Sequence, residues 1–267
     1  MRGRFGDFGV IVTGSARGIG EATARRFAAE GAGVLIADID PEGAERTAGS
    51  IREAGGRAEA CVCDVADRRS VDAAVARAVD TFGTLDVLVN NAYRCGDHRP
   101  DFADEDDDEW RLDLDVSLIG AVRCTRAALP HLAAAPGRRG AVVNIGSVNG
   151  ISYFGNHSYS AAKAGLMSLT RTLAVHAAPI GVRVNLVAPG TIRTPVWEGR
   201  EATLAAAEPL YPLGRLGEPA DIAAAVTFLA SADAAWITGV TLPVDGGILL
   251  SNPGFADAVD AEAQAGA

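Results

Sequence analysis

Lysine is nearly missing from this chain. Of its 24 basic residues one, Lys163, is lysine, and every other is arginine. Cysteine is also scarce. Cys61, Cys63, Cys95 and Cys124 include no Cys-x-x-Cys, and two of them share a predicted strand. They read as buried free thiols in a reducing cytoplasm rather than as a metal or disulfide site, so no metal is expected. Positive charge is in deficit: the formal net charge is −10, which argues against nucleic acid or an anionic membrane as the main partner. No apolar run is long enough to cross a bilayer. Met1 to Asp7 has no apolar core of the kind a secretory signal carries. These absences together point to a cytoplasmic location. No internal repeat and no linker divides the chain, so 1–267 is expected to form one domain. A small, polar tail from Ala256 is expected to be flexible or packed on a partner subunit.

What is present is a regular alternation. Apolar strands are predicted at Phe8–Thr13, Gly33–Asp38, Arg57–Val62, Val87–Asn90, Ala141–Ile145, Val182–Ala188 and Thr241–Val244. Between them fall amphipathic helices at Arg17–Glu30, Pro41–Ala54, Asp67–Phe82, Glu109–Leu129, Ser158–His176 and Ala220–Leu229. Pro130 is expected to stop the fourth helix. The acidic run Asp101–Glu109 reads as a solvated loop and helix start. Continuous apolar strands alternating with helices give an α/β fold: a doubly wound parallel sheet in three layers, covered on both faces. The stretch 191–213 is looser in pattern.

Three stretches carry chemistry. Gly14, Gly18, Ile19 and Gly20, with Arg17 between them, lie between the first strand and the first helix. Glycines there let the backbone approach a pyrophosphate, and the helix N-terminus supplies N–H groups. Asp38 ends the second strand, where a carboxylate accepts both hydrogen bonds of an adenosine ribose and repels a 2′-phosphate. That favours NAD over NADP, although Arg17 pulls the other way by offering a phosphate partner. Last, Tyr159 and Lys163 stand at i and i+4 on a helix. A phenol titrates near ~10, and an ammonium close by is expected to favour phenolate and make Tyr159 a general acid or base. Lys163 is also the one position at which the arginine bias gave way. A compact ammonium with rotatable donors suits a ribose and a phenol better than a planar guanidinium does. Ser147, in the loop before this helix, offers a hydroxyl to a substrate carbonyl.

In this order, the glycine pattern, Asp64-Val65, Asn90-Asn91-Ala92, Ser147, Tyr159-x-x-x-Lys163 and Pro189-Gly190 resemble the short-chain dehydrogenase/reductase family from about Phe8 to Gly247. The resemblance implies a Rossmann fold and hydride transfer between a nicotinamide and an alcohol or ketone. It implies that Asp64 bonds the adenine amine with Val65 beside it, and that Asn91 lies near the adenosine ribose while Asn90 ties strands. Tyr159 would be the acid/base, Lys163 would hold the nicotinamide ribose, and Ser147 would orient the substrate oxygen. Ile192 and Thr194 would meet the carboxamide. It further implies a short substrate lid over 191–213, and a homodimer or homotetramer paired through the helices Glu109–Leu129 and Ser158–His176.

The sequence departs from the family pattern at three points. Tyr93 stands where the family has glycine after Asn-Asn-Ala. Ser117 stands where it has the asparagine of a proton relay, which makes the serine a candidate catalytic residue with one hydroxyl. Ser147 and Tyr159 are 12 residues apart, one fewer than is common. Tyr93, Asn149, Phe154 and Trp197 are candidate substrate contacts, with Tyr153 and His157 as further rim residues. Alternatives to a dehydrogenase are a nucleotide-binding sensor or scaffold without turnover, and an epimerase or dehydratase with retained cofactor.

Overall fold

Along the first strand, β1 (Gly9–Thr13), the side chains of Val10 and Val12 enter one core and that of Ile11 enters another. A strand alternates faces with a period of two, so an apolar run is stable only when both faces are covered. The same holds for β2 (Gly33–Asp38), β4 (Val87–Asn90), β5 (Ala141–Ile145) and β6 (Arg183–Pro189), which are buried almost throughout. With β3 (Arg57–Val62) and β7 (Thr241–Val244) they form one parallel sheet in the order β3-β2-β1-β4-β5-β6-β7. The computed structural model describes residues 3–96 and 101–251.

Helices α1 (Gly18–Ala29), α2 (Pro41–Glu53) and α8 (Pro219–Ala230) cover one face with Phe27, Ile51 and Leu229 among their buried residues. Helices α3 (Arg68–Phe82), α5 (Gly120–Ala133) and α6 (His157–Ala177) cover the other with Val75, Leu132 and Ala174. The three layers and the sheet match the expectation from the sequence. The tail from Ala256 lies outside the described residues.

Three local expectations are corrected. The stretch expected as one helix over Glu109–Leu129 is broken into α4 (Asp107–Leu114), a π turn at Asp115–Ile119 and α5. Pro130 does not stop α5, which runs three residues further. A proline inside a helix forfeits one hydrogen bond, but here Leu132 beyond it is fully buried. Burying a leucine stabilises by roughly 1.5–3 kcal/mol, enough to offset that loss near a helix end. Finally, Cys63 and Cys124 are buried, but Cys95 is exposed and Cys61 only half-buried. Cys61 sits on β3, the edge strand, where one side of the sheet is open.

The strand order places the site. The chain winds outward from β1 in one direction through β2 and β3, and in the other through β4 to β7. The loops after β1 and β4 therefore leave neighbouring strand ends on the same edge and diverge, opening a crevice at the switch point.

Candidate active site

The glycine turn after β1 is a backbone-to-backbone contact. Gly14 and Gly18 adopt φ values of +63° and +61°, which side-chain-bearing residues rarely hold. A methyl on Gly20 would lie 2.2 Å from the carbonyl oxygen of Gly14. Asn91 fastens the turn from the neighbouring strand: its Nδ2 donates to the carbonyls of Thr13 (2.9 Å) and Gly14 (2.8 Å). Asn90 points the other way, donating to Thr125 and Asn144 and so tying β4 to α5 and β5. No side chain caps α1, so its first N–H groups are left for a ligand. Arg17, at that N-cap, is exposed.

Asp38 closes the turn from below. Its Oδ2 accepts from the Ala16 N–H at 2.8 Å and its Oδ1 from the Asp40 N–H at 3.0 Å. Asp64, at the end of β3, accepts from the Ala66 N–H, and Val65 is buried beside Gly120. Ile192 is buried, and the methyl of Thr194 lies against Gly18. The glycine turn, both carboxylates and the start of the 191–213 segment thus line one edge of the sheet.

Helix α6 opens at His157, with Asn156 in the left-handed region at φ 51°. His157, expected on a loop, is therefore the first helical residue. Its Nδ1 lies 2.6 Å from Glu105, and Phe102 stacks edge-on against its ring. Lys163 is 2% exposed, and its Nζ donates to the Ile145 carbonyl at 2.7 Å while lying 5.4 Å from the Tyr159 ring centre. The Ser147 hydroxyl faces the Tyr159 phenol, where it favours the ionised form, and donates to Asn149 Oδ1 at 3.1 Å.

The electrostatics differ from the sequence expectation. Burial pushes the Tyr159 phenol well above its usual range, helped by nearby Tyr93, and the Ser147 hydroxyl only partly offsets this. Burial likewise pushes the Lys163 ammonium down to about 7, against an upward pull from Cys95. Any downward pull of the lysine on the tyrosine is outweighed here, because both groups lose water together and desolvation disfavours both charges.

Tyr93 enters this site. Its ring meets that of Tyr159 edge-on at 5.9 Å, and Lys163 Nζ lies 5.7 Å from its centre. Asn149 faces inward as well, but its amide is engaged with Gly155 and Ser160. Phe154 and Tyr153 stand exposed on the loop before α6. Trp197 packs on the cluster of Leu204, Tyr211 and Leu216, and Arg200 covers its ring at 4.7 Å. The looser segment is itself partly helical, with α7 at Glu201–Ala207.

Ser117 sits on the π turn, 2% exposed. Its Oγ accepts from the Arg94 N–H and donates to the Arg94 carbonyl, both at 2.9 Å. Sequence reasoning missed Asp113, Arg94 and Ser158, which form a hydrogen-bonded set beside these residues. No local motif marks them, since Asp113 reads as one more acid in an acidic helix. Among the described residues no group of His, Cys, Asp and Glu is arranged to hold a metal, and no helix is long and apolar enough to cross a membrane.

This fold with this site defines a class. The chain belongs to the short-chain dehydrogenase/reductase family and is an oxidoreductase; a family model described as enoyl-(acyl carrier protein) reductase matches residues 14–249. Among similar proteins is cis-4-hydroxycyclohexanecarboxylate dehydrogenase of Sinomonas cyclohexanicum. It is 45% identical, over 89% of this chain and 94% of that one. 3beta-hydroxysteroid dehydrogenase 1 of Eggerthella lenta is 42% identical, over 92% of this chain and 95% of that one. The crystal structure of gox2181 superposes with a TM-score of 0.87 at 33% identity, covering 92% of this chain and 97% of that chain. Family membership implies a nicotinamide cofactor.

Proposed function

We propose that the chain interconverts a secondary alcohol and its ketone with NAD as hydride partner. The observation that carries this reading is the meeting of Ser147, Tyr159 and Lys163 in one cluster, in which Ser147 and Lys163 are buried and Tyr159 is half-buried. The residues fit a dinucleotide. The uncapped α1 N-terminus and the glycine turn, with no room for a methyl at Gly20, suit a pyrophosphate. Gly14, Arg17, Gly18, Ile19 and Gly20 would hold it. Asp38, aimed by two backbone N–H groups, would take the adenosine ribose and disfavour a 2′-phosphate. Asp64 and Val65 would flank the adenine. Asn91 would act on the ribose side by holding the turn. Ile192 and Thr194 would meet the carboxamide. When bound, the nicotinamide accepts or returns the hydride.

The chain's own residues move the proton. Ser147 Oγ holds the substrate oxygen beside the Tyr159 phenol. In reduction Tyr159 donates its proton to that oxygen; in oxidation it takes the hydroxyl proton back. Lys163, anchored on the Ile145 carbonyl, would hold the nicotinamide ribose and would stabilise the phenolate once it forms. Ser117 serves as a tether for Arg94, since its hydroxyl is engaged twice on that backbone. Tyr93 and Trp197 would bound the substrate, with Asn149 and Phe154 at its rim.

The test is reduced-nicotinamide absorbance over a panel including cis-4-hydroxycyclohexanecarboxylate, a 3β-hydroxysteroid and 2,3-butanediol. Turnover of any member with NAD supports the reading. NAD binding without turnover across the panel would favour a sensor, and product without net cofactor change would favour an epimerase.

A further inference from the structure

Asp113 lies on α4, outside every motif of the site, yet it is 1% exposed and charged. Three partners satisfy it. Arg94 Nη1 donates to Oδ1 at 2.6 Å, the Gly96 N–H donates to both oxygens at 3.1 Å, and Ser158 Oγ donates to Oδ2 at 2.6 Å. Arg94 is held a second time through its Nη2 on Glu109, at 2.6 Å. It is held a third time through its backbone, where Ser117 takes both the N–H and the carbonyl. A loop residue fixed at both ends of its side chain fork and at both backbone groups has little freedom left.

These anchors are placed tellingly. Arg94 directly follows Tyr93, whose ring leans on Tyr159 and covers Lys163. Ser158 directly precedes Tyr159 on the first turn of α6. One buried carboxylate therefore joins the neighbour of each aromatic ring. A cluster serving stability alone has no reason to converge on these two positions. The cost of burying the carboxylate is met only by this full set of donors, so the set has one arrangement.

We propose that Asp113 is a positioning residue for the catalytic pair: it clamps the Tyr93 loop to the start of α6, so that Tyr93 forms a fixed wall over Tyr159 and Lys163. Asp113 acts through Arg94 and Ser158 and does not touch the reacting atoms. Ser117 is the second tether of the same wall. The inference rests on the Tyr159–Lys163 reading of the site, but its test needs no substrate.

The single lysine makes the test direct. With ¹³C-lysine incorporated, the whole protein gives one lysine side-chain signal by NMR, that of Lys163. Its titration midpoint reports how well water is excluded from the pair. The ionisable groups facing it are Tyr159 on its own helix, and Tyr93 and Cys95 on the loop after β4. In the unmodified protein the midpoint is expected near 7. Asp113→Asn frees the wall, admits water and moves the midpoint upward by roughly one unit or more, toward the ordinary lysine value of about 10.4. Ser158→Ala and Ser117→Ala each move it the same way by less. Where a substrate is in hand, Asp113→Asn lowers kcat by about tenfold or more, with cofactor affinity kept.

An unchanged midpoint in folded Asp113→Asn overturns the proposal. If that variant does not fold, unchanged midpoints in both serine variants overturn it. If the unmodified protein turns over no alcohol, the functional reading fails while the lysine titration still judges the clamp.

Discussion

At the scale of residues the proposed chemistry rests on a buried ammonium and a half-buried phenol one helical turn apart. Burial keeps Tyr159 protonated at rest, so the donor is present at neutral pH, as a weaker acid than a free phenol, and the phenolate that oxidation needs is scarce. The reductive direction should therefore run well at neutral pH. The oxidative direction should gain rate as pH rises, and initial rates in both directions across pH check this. Tyr159→Phe removes the transferable proton and leaves the ring. It should cost ~10²–10⁴-fold in turnover, with NAD affinity by fluorescence titration nearly unchanged. At the other end of the cofactor cleft, Asp38→Ser should relax the choice between NAD and NADP, because the repulsion of a 2′-phosphate goes with the carboxylate. Steady-state constants that already favour NADP in the unmodified protein would refute the assignment of Asp38. These proposed roles are readable from the sequence because each rests on a local pattern: a strand end, or a helical spacing. The phenol's environment was not legible, since desolvation depends on what the rest of the chain packs around it.

Among the elements, the turn between β1 and α1 tolerates little change. The methyl of Gly20→Ala would meet the Gly14 carbonyl oxygen at 2.2 Å, backbone that no side-chain rotation can clear, with the Asn91 amide at 2.6 Å behind it. Separating the turn from α1 should cost about 1–3 kcal/mol and most of the cofactor affinity. Chemical denaturation and cofactor titration of the purified variant measure the two effects separately. The sequence marked this turn because three glycines in that place have few other uses. It did not mark the π turn at Asp115–Ile119. The residues there are ordinary helix formers, and the extra residue per turn is set by contacts on either side. Ser117 reaches Arg94 on one flank, and Leu118 packs against Gly165 of α6 on the other. Pro130 was misread for a related reason: the local rule that a proline ends a helix yields when a residue beyond it, Leu132, is fully buried.

For the molecule as a whole, Lys163 ties stability to pH. Its folded value, about 7, is depressed from an unfolded value of 10.5. The unfolded chain thus binds the extra proton between these values, and the Lys163 contribution to stability should rise with pH from about 7 to 10.5, opposed above 9 by the buried thiols of Cys63 and Cys124. As pH falls through that window the contribution is lost. Lys163→Met should flatten this part of the profile, as followed by denaturant unfolding at several pH values. A second expectation concerns assembly. The resemblance implied pairing through the two long helical stretches, and exposed Leu112, Ile119 and Val175 on those stretches support it. We propose a dimer or tetramer, and sedimentation showing a strict monomer at working concentrations would contradict it.

The sequence by itself determined the layered fold and the members of the cleft. Strand and helix periodicities, the glycine turn, and the Tyr159–Lys163 spacing are properties of neighbours in the chain, and neighbours are what a sequence displays. Tertiary structure alone decided what surrounds those members. It brought Tyr93 of the loop after β4 onto Tyr159 of α6, and it committed the Ser117 hydroxyl to the Arg94 backbone. It also buried the Asp113 carboxylate between Arg94, Gly96 and Ser158. Burial and long-range hydrogen bonds depend on which distant segments meet. The energy of a charge or a phenol changes with its loss of water far more than with its neighbours in sequence.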